Sequence, residues 1–142
     1  MSRELDVRVA RALGWREVQG PTKDYDGPVE SFRVLVPPTL TDDQAYKMMP
    51  AFGTVQPWFF CKPWQSDVAA AWTLMEMAYD AGCVLTIGTL AQKPRGYRVE
   101  LLDMRGDEFT EHPLVIEKNA DTATEAISEA WLAWKEADDA HS

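Results

Sequence analysis

Two stretches in the C-terminal half have the composition of helices: residues 66–82 read SDVAAAWTLMEMAYDAG and residues 121–134 read DTATEAISEAWLAW. Both are rich in residues that favour helices, and each begins with residue types that cap helix N-termini. Ser66 is the expected cap of the first helix and Gly82 its end. Thr122 and Glu125 have the spacing of a capping box in the second helix. The sequence therefore predicts two capped helices.

Three strand-like segments lie between these helices, at residues 83–90, 97–102 and 109–117. They are joined by the short sequences QKPRG and MRGD, which favour antiparallel pairing of neighbouring strands. Helices before and after such a meander can bury their apolar stripes against the two faces of one sheet. We therefore predict an α+β fold, a layered α/β sandwich with a mainly antiparallel meander sheet flanked by helices. Trp72 and Trp131 would then be core anchors on opposite sides of the sheet.

The first helix carries two apolar stripes. The stripe that we assign to the sheet contains Val68, Ala71, Trp72, Met75 and Tyr79. On nearly the opposite side, at 100° per residue, lie Ala70, Leu74, Met77 and Ala81. This second stripe needs a cover, which is either another helix of the same chain or a second subunit. We predict that these four residues form the interface of a homo-oligomer.

The N-terminal half contains shorter elements. A helix with Ser2 as its cap is predicted before Gly14, and residues 20–30, GPTKDYDGPVE, have the composition of a loop. A strand is predicted over residues 31–36, and Thr41 and Gln44 have capping-box spacing for a helix over residues 41–49. The length of 142 residues suits one domain. We predict a single domain over residues 1–142, with a loop-rich insertion at about 20–63.

Charge and hydropathy exclude several classes of protein. The net charge of −9 repels a phosphate backbone, so binding to duplex nucleic acid is not expected. The chain lacks the apolar run of about 18 residues that a membrane span requires, and its first residues are too charged for a secretory signal. We expect a cytoplasmic protein, with Cys61 and Cys83 as free thiols.

No residue pattern in the sequence indicates catalysis or a resident cofactor. The two histidines, His112 and His141, are too few for a histidine-based zinc site and have no pattern of a triad. Cys61 lies beside Lys62, a cation that can lower a thiol pKa, but no base or oxyanion hole is evident. The sequence DYDG lacks the later ligands of a calcium loop, and no phosphate-binding loop is present. We predict no enzyme activity, no cofactor and no metal.

A segment dense in aromatic residues and prolines, PWFFCKPW at residues 57–64, is the strongest candidate for a binding site. Aromatic rings stack on bases, and cations bind phosphates. The predicted ligand-binding residues are Trp58, Lys62, Trp64 and Arg95. The alternative is that residues 58–64 form an edge strand and a loop that pack on the core, with the nearby cations as solvated turn residues.

Four segments carry a resemblance to a known family: LDVRVARALGW, WQSDVAAAWTLMEM, YRVELLD and ATEAISEAWLAW. In order and spacing they resemble the phage ABA-sandwich domain family, small proteins found mainly in bacteriophages and prophages. The positions that match the family pattern are Trp15, Ser66, Asp67, Trp72, Ala126 and Ile127. The resemblance implies a central sheet between helices and a phage origin, and it supplies no catalytic residue.

Two functions are consistent with these patterns. The first is a non-enzymatic phage accessory protein that binds a small nucleotide-like ligand and so sequesters a host immune signal. The alternative is an acidic, oligomeric protein-interaction module that inhibits a host defence protein. A cavity with cations beside exposed aromatic residues would favour the first, and an acidic surface would favour the second.

Overall fold

A computed structural model describes residues 3–19, 33–49, 55–90, 96–105 and 114–140. The chain divides into two compact units, Met1–Lys62 and Pro63–Ser142. The elements, in chain order, are α1 (Glu4–Ala12), β1 (Arg16–Gln19), β2 (Arg33–Val36), α2 (Asp42–Met48), α3 (Val68–Asp80), β3 (Cys83–Thr89), β4 (Tyr97–Asp103), β5 (Leu114–Ala120) and α4 (Ala123–Ala140). The boundary at Lys62 lies at the end of the segment that we interpreted as an insertion, and the single-domain arrangement stays a prediction.

In the N-terminal unit, β1 and β2 form an antiparallel pair in which Arg16 lies opposite Val36. The unit has its own core, made by Val18, Val34, Val36, Ala45, Met49 and Val55. The capping box of α2 is confirmed: the Gln44 backbone N–H donates to Thr41 Oγ1 at 3.2 Å, and the Thr41 N–H donates to Gln44 Oε1 at 2.9 Å. The sequence did not predict β1, because its single buried apolar residue, Val18, gives no alternating pattern.

The C-terminal unit is built on a three-stranded antiparallel sheet in the order β3-β4-β5. The register pairs Leu85 with Leu101 and Leu101 with Ile116, so one row of apolar side chains crosses the sheet. The next row, on the other face, contains Thr86, Glu100 and Glu117. The predicted α+β class, with an antiparallel meander flanked by helices, is confirmed.

Both helices of this unit pack on the same face of the sheet. Helix α3 contacts β3 and α4, and α4 contacts β4 and β5. One core cluster joins Ala71 of α3 to Ala126, Ile127 and Ala130 of α4 and to Val99 of β4. Leu85 and Ile116 pack against this cluster from the apolar row described above. The expectation that α3 and α4 cover opposite faces is therefore wrong.

The buried side of α3 differs from both predicted stripes. Its buried residues are Ala70, Ala71, Leu74 and Ala78. Ala70, Ala71 and Ala78 are small, so this side of the helix can approach its neighbours closely. The buried side therefore lies between the two predicted stripes. Trp72 is therefore 53% exposed and is not a core anchor, whereas Trp131 of α4 is fully buried as predicted.

This orientation also corrects the predicted oligomer interface. Ala70 and Leu74 are buried within the chain, so they cannot form an apolar face for a second subunit. Met77 is exposed and Ala81 is half-buried. The four residues therefore do not form one exposed stripe.

The ends of α3 follow from local chemistry. Asp67 is the N-cap, rather than Ser66, because its Oδ1 accepts a hydrogen bond from the Ala70 N–H at 3.0 Å. The helix stops before Gly82, which has the φ of +103° that glycine tolerates best. These two residues fix the length of the helix that carries the site described next.

Candidate functional site

A groove of about 500 Å³ is lined by one side of α3 and by one residue of β3. Its lining residues are Trp72, Met75, Glu76, Tyr79, Asp80 and Leu85. The five α3 residues follow the i, i+3, i+4, i+7, i+8 pattern of one helix face. The volume lies within the range of about 300 to 1,000 Å³ that is typical of ligand sites. Trp72, Met75 and Tyr79 belong to the stripe that the sequence assigned to the sheet.

Two aromatic side chains form the exposed walls of the groove. Trp72 is 53% exposed and Tyr79 is 73% exposed. Met75 and Leu85 are half-buried and also pack against the core cluster of the unit. The groove therefore combines an apolar floor that is continuous with the core and aromatic walls that are open to a partner.

The Trp72 indole is held in place by a carboxylate of its own helix. Trp72 Nε1 donates a hydrogen bond to Glu76 Oε1 at 2.9 Å, across one helical turn. This bond satisfies the only polar atom of the indole and leaves further lone pairs of Glu76 for a ligand. The ring is thus oriented before any ligand binds, which lowers the entropic cost of binding.

The groove is negatively charged. In the part of the chain that the structure describes, neither Glu76 nor Asp80 has a basic partner. Two carboxylates beside two aromatic rings attract a cation, both by charge and by its interaction with the ring faces. The same carboxylates repel a phosphate group.

The residues that the sequence predicted for ligand binding lie elsewhere. Trp64 is 2% exposed, so its indole packs in the protein interior and has no free face for a stacked base. Its assignment to the ligand site is corrected to a packing role. Trp58 is half-buried and Lys62 is exposed, both in the N-terminal unit, and Arg95 lies outside the described residues. A ligand site at these three residues stays a prediction.

The segment around Trp58 forms successive turns rather than an edge strand. The Phe59 N–H donates to the Gln56 carbonyl at 3.0 Å, and the Cys61 N–H donates to the Trp58 carbonyl at 2.8 Å. Phe60 packs against the core of the N-terminal unit. The expectation that this segment packs on the core is thus supported for Phe60, although its local structure differs.

Both cysteines are free and buried. Burial is the main cause that raises the pKa of Cys61 to about 12, and the Asp6 carboxylate adds to it against the opposing effect of Arg3. Burial, with the charge of Asp103, also raises the pKa of Cys83 to about 11. These pKa values keep both thiols protonated at neutral pH, so neither is an activated nucleophile.

We accordingly expect both thiols to react slowly with a disulfide reagent such as Ellman's reagent at pH 8 while the protein is folded. Unfolding in denaturant removes the burial that raises the pKa of each thiol, so two thiols per chain should then react rapidly. A thiol that reacts as fast in the native protein as in the denatured protein would contradict the burial of Cys61 or Cys83.

A second polar cluster joins the end of β4 to α4. Asp103 Oδ2 accepts hydrogen bonds from Trp134 Nε1 at 3.0 Å and from Arg105 Nη2 at 2.7 Å. Arg105 Nη2 also donates to Asp138 Oδ1 at 2.5 Å, and the Arg105 guanidinium lies 5.3 Å from the centroid of the Trp134 ring. The hydrogen bonds from Arg105 are the main reason that the pKa of Asp103 lies well below its usual range.

The hydrogen bonds of this cluster join the end of β4 to Trp134 and Asp138 of α4, so they link these two elements. The pKa of Arg105 is raised, chiefly by its hydrogen bond to Asp103. In the sequence, Arg105 belongs to the predicted MRGD turn and Asp103 has no assigned role. Trp134 lies 31 residues after Asp103, and Asp138 lies 33 residues after Arg105, so no local pattern links these residues. Among the described residues, no group of three or more His, Cys, Asp or Glu side chains is arranged to hold a metal ion.

Comparisons with known proteins give no match. No protein-family model, no curated protein and no solved structure matches this chain. The resemblance to the phage ABA-sandwich domain family therefore stays a prediction. None of the helices in the described ranges is both long enough and apolar enough to span a membrane.

Proposed function

We propose that this protein is a non-enzymatic interaction module that binds a basic segment of another protein in the α3 groove. The observation that carries the proposal is the pair of exposed aromatic residues, Trp72 and Tyr79, beside the carboxylates of Glu76 and Asp80. Aromatic side chains in a groove bury large areas at low entropic cost, and the carboxylates select a partner of opposite charge.

The extent of the apolar surface favours a protein segment over a small molecule. Val68 lies one helical turn before Trp72 and is 72% exposed, so the apolar surface continues beyond the groove along α3. The net charge of −9 adds a long-range attraction for basic partners. A small cation would contact only part of this surface, whereas a peptide can cover all of it.

Of the two functions expected from the sequence, the acidic groove favours the interaction module over the binding of a nucleotide-like ligand. The interaction-module alternative agrees with the acidic groove, and its more specific form, the inhibition of a host defence protein by a phage protein in the host cytoplasm, is retained as part of the proposal. The nucleotide-like ligand stays a prediction that the groove does not favour, because Glu76 and Asp80 would repel its phosphates. The homo-oligomer also stays a prediction, and light scattering at micromolar concentration tests it.

The proposal is tested by selection from a library of random peptides about 16 residues long, which is sufficient to run the length of α3. We expect the selected peptides to be enriched in Lys and Arg. Trp72→Ala should weaken their binding by about 10-fold or more, since an aromatic residue at the centre of an interface contributes about 2 kcal/mol or more. Its melting temperature should change little, because Trp72 is half exposed.

Tyr46→Ala is the matched control, because Tyr46 is another exposed aromatic residue on a helix but does not line the groove. It should leave peptide binding unchanged. Selected peptides that are neutral or acidic, or that bind Trp72→Ala as well as the parent, would refute the proposal. A parallel titration with cyclic dinucleotides and ADP-ribose tests the predicted nucleotide-like ligand. If one of these compounds binds and no peptide is selected, the nucleotide-binding function replaces the proposed peptide-binding function.

A further inference from the structure

We infer that the segment bound by α3 is itself a helix, which lies alongside α3 in coiled-coil geometry and presents a basic residue to Glu76. This inference rests on the proposed function and specifies its partner. It starts from the spacing of four apolar residues along one side of α3. These residues are Val68, Trp72, Met75 and Tyr79.

The spacing of these four residues is 4, 3 and 4, which is the heptad spacing of the seam between two coiled helices. We call them the seam. Val68, Trp72 and Tyr79 are exposed, and Met75 is half-buried because part of its side chain packs against the core cluster. The three exposed members of the seam are therefore open to a partner. From its first to its last residue it extends about 16 Å at 1.5 Å per residue. A helix of three turns would cover it.

The residues on either side of the seam define how such a helix must lie. On one side, Ala71 and Ala78 are fully buried in the protein interior. On the other side, Glu76 lies four residues after Trp72 and three before Tyr79, so it borders the seam at its centre. In coiled coils the residues at this flanking position form ion pairs between the helices. A Lys or Arg of the bound helix therefore meets Glu76, with Asp80 one turn further along α3.

Charge argues against α3 of a second copy as the occupant. Helix α3 contains Glu76 and Asp80 and no basic residue. Pairing two copies would bring four carboxylates to one interface and join two chains that each carry a net charge of −9. Like charges across an interface oppose association, so the seam fits a basic helix of a different protein.

The test uses two synthetic peptides of identical composition, each of about three turns. In the first, Leu residues follow heptad spacing and Lys flanks them; in the second, the same residues are permuted so that Leu alternates with polar residues. We expect only the heptad peptide to bind, with a gain of helical circular dichroism. Trp72→Ala should weaken this binding by about 10-fold or more, and Tyr46→Ala should not weaken it.

Charge reversal provides the second arm. Glu76→Lys should weaken binding of the Lys-flanked peptide by about 10-fold or more and should strengthen binding of the same peptide with Glu in place of Lys. If both permutations bind equally well in a Trp72-dependent manner, the helical occupant is refuted while the proposed interaction function survives. Failure of the heptad peptide to bind also refutes the helical occupant, and the random-peptide selection then decides the proposed function independently. Self-association of the parent that Trp72→Ala abolishes would assign the seam to a second copy instead.

Discussion

Replacing Trp131 by alanine should lower the free energy of unfolding by about 3 to 5 kcal/mol, because the substitution removes a large buried side chain and leaves a cavity. Trp131 is fully buried in α4, among the largest side chains of the protein that solvent does not reach. Urea unfolding monitored by far-ultraviolet circular dichroism measures the change.

Trp131→Phe is the informative control for this substitution. Trp131 Nε1 is buried without a hydrogen-bond partner among the described residues, which costs about 1 to 3 kcal/mol. Phenylalanine removes that unsatisfied N–H while it keeps most of the apolar volume, so its cost should be much smaller than that of alanine. An alanine variant that melts within one or two degrees of the parent would mean that α4 does not bury this face.

Asp103→Ala should lower the free energy of unfolding by about 1 to 3 kcal/mol at pH 7, since it removes the hydrogen bonds that join a nearly buried carboxylate to the partly exposed Arg105 guanidinium and to Trp134. Asp103 is 9% exposed and accepts hydrogen bonds from both Arg105 and Trp134. Its loss leaves the Trp134 indole N–H buried without an acceptor. Glu117→Ala is the matched control, because Glu117 forms an exposed ion pair with Arg98 at 3.7 Å, and such pairs contribute about 1 kcal/mol or less.

The contribution of Asp103 should also depend on pH in a defined direction. Its pKa is lower in the folded protein than in the unfolded chain, so the stabilisation is fully present above the unfolded pKa, about 4, and is lost as the pH falls below that value. Denaturant unfolding between about pH 2 and pH 7 should therefore show a steeper loss of stability below pH 4 for the parent than for Asp103→Ala. Identical pH profiles for the parent and Asp103→Ala would show that another carboxylate causes the loss of stability below pH 4.

The fold class followed from the sequence, whereas the orientation of α3 did not. Capping residues, glycine stops and alternating strands are local signals, and they placed α2, α3, β3, β4 and α4 close to where the structure has them. The rotation of α3 about its axis depends on what packs against it. The sequence interpretation buries the large apolar residues of α3, but close packing of this helix requires small residues, so Ala71 and Ala78 face inward and Trp72 faces outward.

The candidate site was missed for the same reason. Trp72, Glu76 and Tyr79 are evident in the sequence as a helical row, but the sequence interpretation places Trp72 and Tyr79 against the sheet and the ligand site at Trp58, Lys62, Trp64 and Arg95. Centring the helix on its alanines would have placed Trp72 at the surface. The cluster of Asp103, Arg105 and Trp134 carries no comparable signal, because it forms only when the end of β4 meets α4.

The alanine-lined inner side of α3 separates two kinds of evolutionary constraint on a single helix. At Ala71 and Ala78 any larger side chain would push α3 away from its neighbours, so the packing of the fold constrains these two positions to small residues. Val68, Trp72 and Tyr79 project away from that contact and can change without disturbing it. The helix can thus exchange one partner for another by substitution on its outer row alone, and the protein can acquire a new specificity while its core sequence stays the same.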